Sequence, residues 1–146
     1  MMNTIKRRSI LGITITAVVL SMVAVVAFAQ RPHFIGEPTF STNGGVLSVC
    51  GSIAGLGNRD VTITLEATAV TTCTNRGNNI PPGQTETVSG TVSNLRPENG
   101  RVNFCVSTDP ATNPCPKPMT PTTTFTDATI TVFQGGNIVL KQSFTP

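Results

Sequence analysis

The stretch Val61-Thr62-Ile63-Thr64-Leu65-Glu66-Ala67-Thr68-Ala69 decides the fold class. Apolar residues stand at every odd position and Thr or Glu at the even ones, the alternation of a strand with one face buried and the other in water. The same pattern recurs in Leu47, Val49 and Ile53, in Val102, Phe104 and Val106, and in Ala128, Ile130 and Val132 facing Ile138, Leu140 and Phe144. Gly, Pro, Asn and Asp punctuate these runs, and no apolar pattern of period about 3.6 is long enough for a helix. The expectation is an all-β domain over residues 38–146, an immunoglobulin-like seven-stranded antiparallel β-sandwich. Its strands fall near Thr39 to Ser41, Val46 to Ile53, Val61 to Thr72, Thr85 to Ser93, Arg101 to Ser107, Thr122 to Phe133 and Ile138 to Phe144.

Parity also sets the register of the last hairpin. A three-residue loop of Gly135, Gly136 and Asn137 would pair Val132 with Leu140, Ile130 with Gln142 and Ala128 with Phe144, keeping the apolar residues on one face. A two-residue Gly135-Gly136 turn would instead set Ile130 opposite Lys141, so the longer loop is expected.

Ahead of the domain the chain changes character. Lys6, Arg7 and Arg8 precede an uncharged apolar stretch from Ile10 to Val26, and Ala27-Phe28-Ala29 places small residues where a signal peptidase reads. Residues 1–29 are therefore expected to be a signal peptide cleaved after Ala29, residues 30–37 a flexible leader, and the protein secreted or extracytoplasmic. Ile10 to Ala29 is also long enough to span a bilayer, so an uncleaved segment would make the protein membrane-anchored. Arg7-Arg8 leaves twin-arginine export open beside the general route.

Three of the ten Lys and Arg lie in that segment and account for the whole formal charge of +3; the others match the seven Asp and Glu. A neutral domain without a basic cluster argues against nucleic acid as a partner. The expected partner is an extracellular protein or an envelope component.

An exported domain with four cysteines is expected to be oxidised. Cys50 and Cys105 lie mid-strand on the faces opposite their strands' apolar residues, whereas Cys73 ends the third strand and Cys115 precedes the sixth. In the expected topology the second and fifth strands are neighbours, and the end of the third lies beside the start of the sixth. The pairs expected are Cys50 with Cys105 and Cys73 with Cys115.

Catalysis finds little to work with. The sole histidine, His33, falls in the expected leader without a nucleophile at a recognisable spacing. No C-x-x-C pair offers a zinc site, and the scattered carboxylates suit turns such as Pro97-Glu98-Asn99. No enzyme activity, cofactor or metal is expected. The absence of Trp and Tyr removes the usual stacking platforms for sugars.

Two long loops stand out, Asn75 to Gln84 and Thr108 to Pro121, the second holding five prolines at 110, 114, 116, 118 and 121. In the expected topology they share one end of the sandwich, joined by Cys73 and Cys115. Proline and a disulfide both limit motion, so these loops would present Arg76, Asn78, Asn79, Ile80, Lys117 and Met119 with little entropy left to lose on binding. They form the candidate binding surface.

Gly51-Ser52-Ile53-Ala54-Gly55-Leu56-Gly57-Asn58-Arg59-Asp60-Val61-Thr62-Ile63-Thr64-Leu65, followed by Cys73-Thr74-Asn75, Pro82-Gly83-Gln84 and Gln134-Gly135-Gly136, resembles a group of small exported bacterial hypothetical proteins. The resemblance implies an immunoglobulin-like β-sandwich and no assigned activity, so it carries no functional residue to this chain. In that pattern Cys73 and Cys115 belong to the group and Cys50 and Cys105 are additional. The functional expectation is a non-catalytic binding or structural module at or beyond the cell envelope. Its alternatives are an extracellular protease inhibitor using the Pro-rich loop, and a self-associating surface or fibre subunit whose last strand, Ile138 to Phe144, is an open edge.

Overall fold

The computed structural model describes residues 31–77 and 83–146. The expected signal peptide, Gln30 and the expected surface residues Asn78, Asn79 and Ile80 lie outside them. The described residues form strands β1 (His33–Phe34), β2 (Thr39–Asn43), β3 (Val46–Ala54), β4 (Val61–Thr74), β5 (Gln84–Leu95), β6 (Val102–Ser107), β7 (Thr120–Gln134) and β8 (Asn137–Phe144). All pairings are antiparallel and divide into two sheets. In one, β3 is central, with β6 along one edge and β1 and β2 in tandem along the other. In the second the order is β5-β4-β7-β8.

The alternation that marked β4 places Val61, Ile63, Leu65, Ala67 and Ala69 in the core and leaves Glu66 exposed. Leu47, Val49 and Ile53 of β3 and Val102, Phe104 and Val106 of β6 close on them from the other sheet, with Ala128, Ile130 and Val132 of β7 beside them. Each such side chain removed from water stabilises the fold by about 1.5–3 kcal/mol, so the paired apolar faces hold the sheets together. Leu56 covers one end of this core, its N–H donating to the Gly100 carbonyl.

On two sides of the sandwich the sheets meet by different means. Beside β6, Gly90 of β5 lies so near the backbone of Ser107 that no side chain fits between them, and Asp109 N donates to Ser89 O at 2.8 Å. On the opposite side Phe34, Phe104 and Phe144 cluster, with Phe34 edge-on to Phe144 at 5.4 Å and Phe40 at 5.7 Å from the same ring. Aromatic pairs at such separations add to the area they bury.

Residues 31–37, within the expected leader, contain the paired strand β1. His33 and Phe34 pair with Ala54 and Ile53, and Ile35 N donates to Ser52 O at 2.8 Å. The reason is Phe34: its ring finds Phe104 and Phe144, aromatic neighbours brought from distant parts of the chain. The segment adds a short strand before the expected first one.

The last hairpin has the expected pairs, Ala128 with Phe144, Ile130 with Gln142 and Val132 with Leu140, but reaches them by another route. Its turn is the two-residue Gly135-Gly136, both residues at positive φ, and a bulge at Val139 restores the parity. Ile138 is consequently 58% exposed rather than in the core, and Val139 packs inward beside Leu140. Asn99-Gly100, also at positive φ, makes a comparable turn between Glu98 and Arg101. Two further register shifts bend the second sheet: an extra residue in β5 near Asn94, at φ 59°, and one at Thr126 of β7. The latter lets Phe125 and Ala128, three positions apart, both point inward.

Both expected disulfides form. Cys50–Cys105 links directly opposed residues of β3 and β6, and Cys73–Cys115 ties the end of β4 to the segment before β7. They close loops of similar length, 55 and 42 residues, so each stabilises by about 4 kcal/mol on the chain-entropy model. Two such bonds suit an extracellular or otherwise oxidising environment.

Candidate binding surface

The segments after β4 and before β7 emerge at the same end of the sandwich, because Thr74 pairs with Thr120 and Cys73 lies beside Pro121. Of the expected surface residues that are described, Arg76 and Lys117 are exposed and Met119 is half-buried. Gly77 N donates to Asn75 Oδ1 at 2.9 Å, a local Asx turn that places Arg76 at its apex.

The Pro-rich segment is anchored by residues from separate parts of the fold. Thr108 continues the pairing of β6 with β3: its N–H donates to Leu47 O at 2.9 Å, and its buried hydroxyl accepts Leu47 N–H at 3.1 Å. Ala111 N then donates to Gly45 O at 2.9 Å in the β2–β3 turn. Glu86 of β5 receives Thr112 at both carboxylate oxygens, from its backbone N–H and, at 3.0 Å, from its hydroxyl. Cys115 follows with the bond to β4, and Met119 N closes a turn onto Pro116 O at 2.8 Å, with Lys117–Pro118 in the cis form. Glu86, Gly45 and Thr108 carry no motif that names them as anchors; only the meeting of three strands reveals the role.

Between this segment and the sheets runs a groove of about 360 Å³, lined in part by Asn43, Thr71, Thr112, Asn113 and Thr123. Its floor is fixed by a 2.8 Å hydrogen bond between the Thr71 and Thr123 hydroxyls. The lining is uncharged and rich in hydroxyl and amide groups, suited to a neutral polar surface such as peptide backbone.

A larger cleft, about 510 Å³, opens at the opposite end around Arg96, Glu98, Asn99, Arg101 and Asn103. In the sequence Pro97-Glu98-Asn99 reads as a turn and Arg101 to Ser107 as a strand, and neither marks a cleft. The nearest signal was the run Arg96-Pro97-Glu98-Asn99-Gly100-Arg101, two cations flanking an Asn-Gly turn.

His33 is exposed on β1, its Nδ1 2.9 Å from Arg31 O, far in the chain from the Pro-rich segment. Among the described residues, no three His, Cys, Asp or Glu side chains gather as a metal site would require. The residues define a disulfide-braced β-sandwich with an anchored loop surface at one end. Comparison with known protein families, curated proteins and solved structures finds no match to this chain.

Proposed function

We propose that this protein is exported by its N-terminal segment and acts as a non-catalytic, immunoglobulin-like module that binds an extracellular protein or an envelope component through its loop end. The immunoglobulin-like assignment is supported by strand order: β3 pairs with β6 and β4 with β7, placing the second and fifth expected strands in one sheet and the third and sixth in the other. The fourth, β5, joins β4 rather than β6, which gives sheets built on β3 and on β4–β7.

The observation that carries the binding reading is the anchoring of residues 108–119 by Leu47, Gly45, Glu86 and Cys73. A segment without secondary structure would ordinarily lose much conformational freedom on meeting a partner; here that loss falls largely on folding. The uncharged groove beside it offers hydrogen-bonding groups without long-range attraction.

The test is capture of partners from culture supernatant and cell envelope by the secreted domain, compared with an R76E/K117E variant of unchanged circular dichroism. Partners held by the first and lost by the second support the reading; identical capture by both overturns it.

One observation favours self-association as a second reading. β8 lies at a sheet edge, and Ile138 at its start is 58% exposed, with Lys141 the charged residue along it. Sedimentation at increasing protein concentration tests this, and a constant monomer mass ends it. Protease inhibition draws less support, since the segment turns back at Pro116–Met119 rather than running extended.

A further inference from the structure

The two disulfides close loops of nearly equal length but sit in unlike surroundings. Cys73 and Cys115 are half-buried, with the Cys115 sulfur 3.9 Å from Thr72 O, and their bond fastens a segment that no strand pairing holds. Cys50 and Cys105 are both exposed, in the middle of the β3–β6 ladder and on the outer face of its sheet.

That ladder runs without interruption from Ser48 opposite Ser107 to Ile53 opposite Val102. On the outer face the disulfide is the middle of three rungs: Ser48 and Ser107 hydroxyls meet at 2.7 Å on one side, and Ser52 donates to Asn103 Oδ1 at 2.5 Å on the other. On the inner face Val49, Ile53, Val102, Phe104 and Val106 are buried in the core, on the side of the sheet away from the sulfurs. Beyond the ladder, Leu47 and Thr108 continue the attachment. The strands therefore stay paired when the bond between Cys50 and Cys105 is broken, and their Cα atoms, 4.1 Å apart, hold the two thiols where the bond can form again.

We propose that Cys50–Cys105 is an exchangeable disulfide, a site at which the folded protein reacts with a small-molecule thiolate, while Cys73–Cys115 is the structural bond. A thiolate approaching the open face attacks the sulfur of either cysteine. The Sγ–Sγ bond breaks, a mixed disulfide forms on the attacked residue, and the other leaves as a thiolate that takes a proton from water. A second thiolate attacking the mixed disulfide releases the oxidised small molecule and leaves the protein as a dithiol. No other redox partner is needed. Exposure decides the order, because attack requires the incoming sulfur to reach the disulfide and exposed disulfides are the labile ones. The neighbours of the disulfide along the ladder, Ser48, Ser52, Asn103 and Ser107, are small and polar, and Thr39 lies opposite Cys50 on its other side.

The inference is independent of any ligand at the loop end. Its test is graded treatment of the folded, oxidised protein with reduced glutathione, followed by acid quenching, alkylation and peptide mapping. Cys50 and Cys105 should carry glutathione or alkylating label at about one tenth of the glutathione concentration that labels Cys73 and Cys115, with the β-sheet circular dichroism signal unchanged. A C50S/C105S variant, folded by the same signal, should take up no glutathione over that range. Labelling of Cys73 and Cys115 first, or of all four together, overturns the proposal, as does loss of the sheet signal when Cys50–Cys105 opens.

Discussion

A Cβ placed on Gly90 would lie 1.8 Å from the carbonyl oxygen of Ser107, so at this point the backbones of two sheets touch directly. The contact closes the edge where β5 passes β6, and the neighbouring Asp109 N to Ser89 O hydrogen bond depends on it. G90A should destabilise the domain by about 3 kcal/mol or more in chemical denaturation, since backbone on both sides leaves nothing to rotate away. G57A is the control. There the added carbon would meet Gln134 Oε1 at an ordinary 3.4 Å, and the cost should stay below about 1 kcal/mol.

Gln134 acts as a clamp on the β3–β4 connection. Its amide accepts Gly57 N–H at 3.0 Å and donates to the carbonyls of Gly57 and Arg59 at 3.0 and 2.7 Å. Q134A removes all three bonds at a half-exposed site, and the expected loss is about 1–2 kcal/mol. Amide exchange should accelerate at Gly57 well before it does in β4. Unchanged exchange there would show that the loop does not need the clamp.

Thr108 is one of few buried polar residues, and its hydroxyl is the acceptor for Leu47 N–H. T108V keeps the shape but strands that donor in the interior, an expected cost of about 1–3 kcal/mol by urea denaturation. T108S, which keeps the oxygen, should recover most of it. T108S less stable than T108V would mean that the methyl contact, not the hydrogen bond, matters.

The bulge at Val139 separates two isoleucines that share a hairpin. Ile130 is fully buried, and I130A should cost about 2–5 kcal/mol through lost burial and the cavity left behind. Ile138 is exposed, and I138T should change stability by less than about 0.5 kcal/mol. A large loss at Ile138 would place it back in the core and remove the bulge.

These cases mark how much could be read before the structure. Faces of β3, β4 and β6 follow from period two alone, because alternate side chains of a regular strand must point opposite ways. The same rule puts Cys50 and Cys105 outside and Leu47, Val49, Phe104 and Val106 inside. It fails at Ile138, Phe125 and Asn94, where one added residue changes the parity and only the partner strand determines where that addition sits. The candidate loop surface was visible in its prolines and cysteines. Its anchors, Glu86 and Gly45, were not, because neither has a local pattern that distinguishes it from a surface carboxylate or a turn glycine.

By itself, then, the sequence determined that the domain is all-β, which residues of its regular strands form the core, and which cysteines could meet. Those are consequences of local stereochemistry and of burying apolar faces. Tertiary structure decided that Phe34 packs against the core, that Gly90 and Ser107 touch, and that the Pro-rich segment is fastened rather than free. Each depends on atoms far apart in the chain, and the preference of a residue for its neighbours along the backbone carries no information about them.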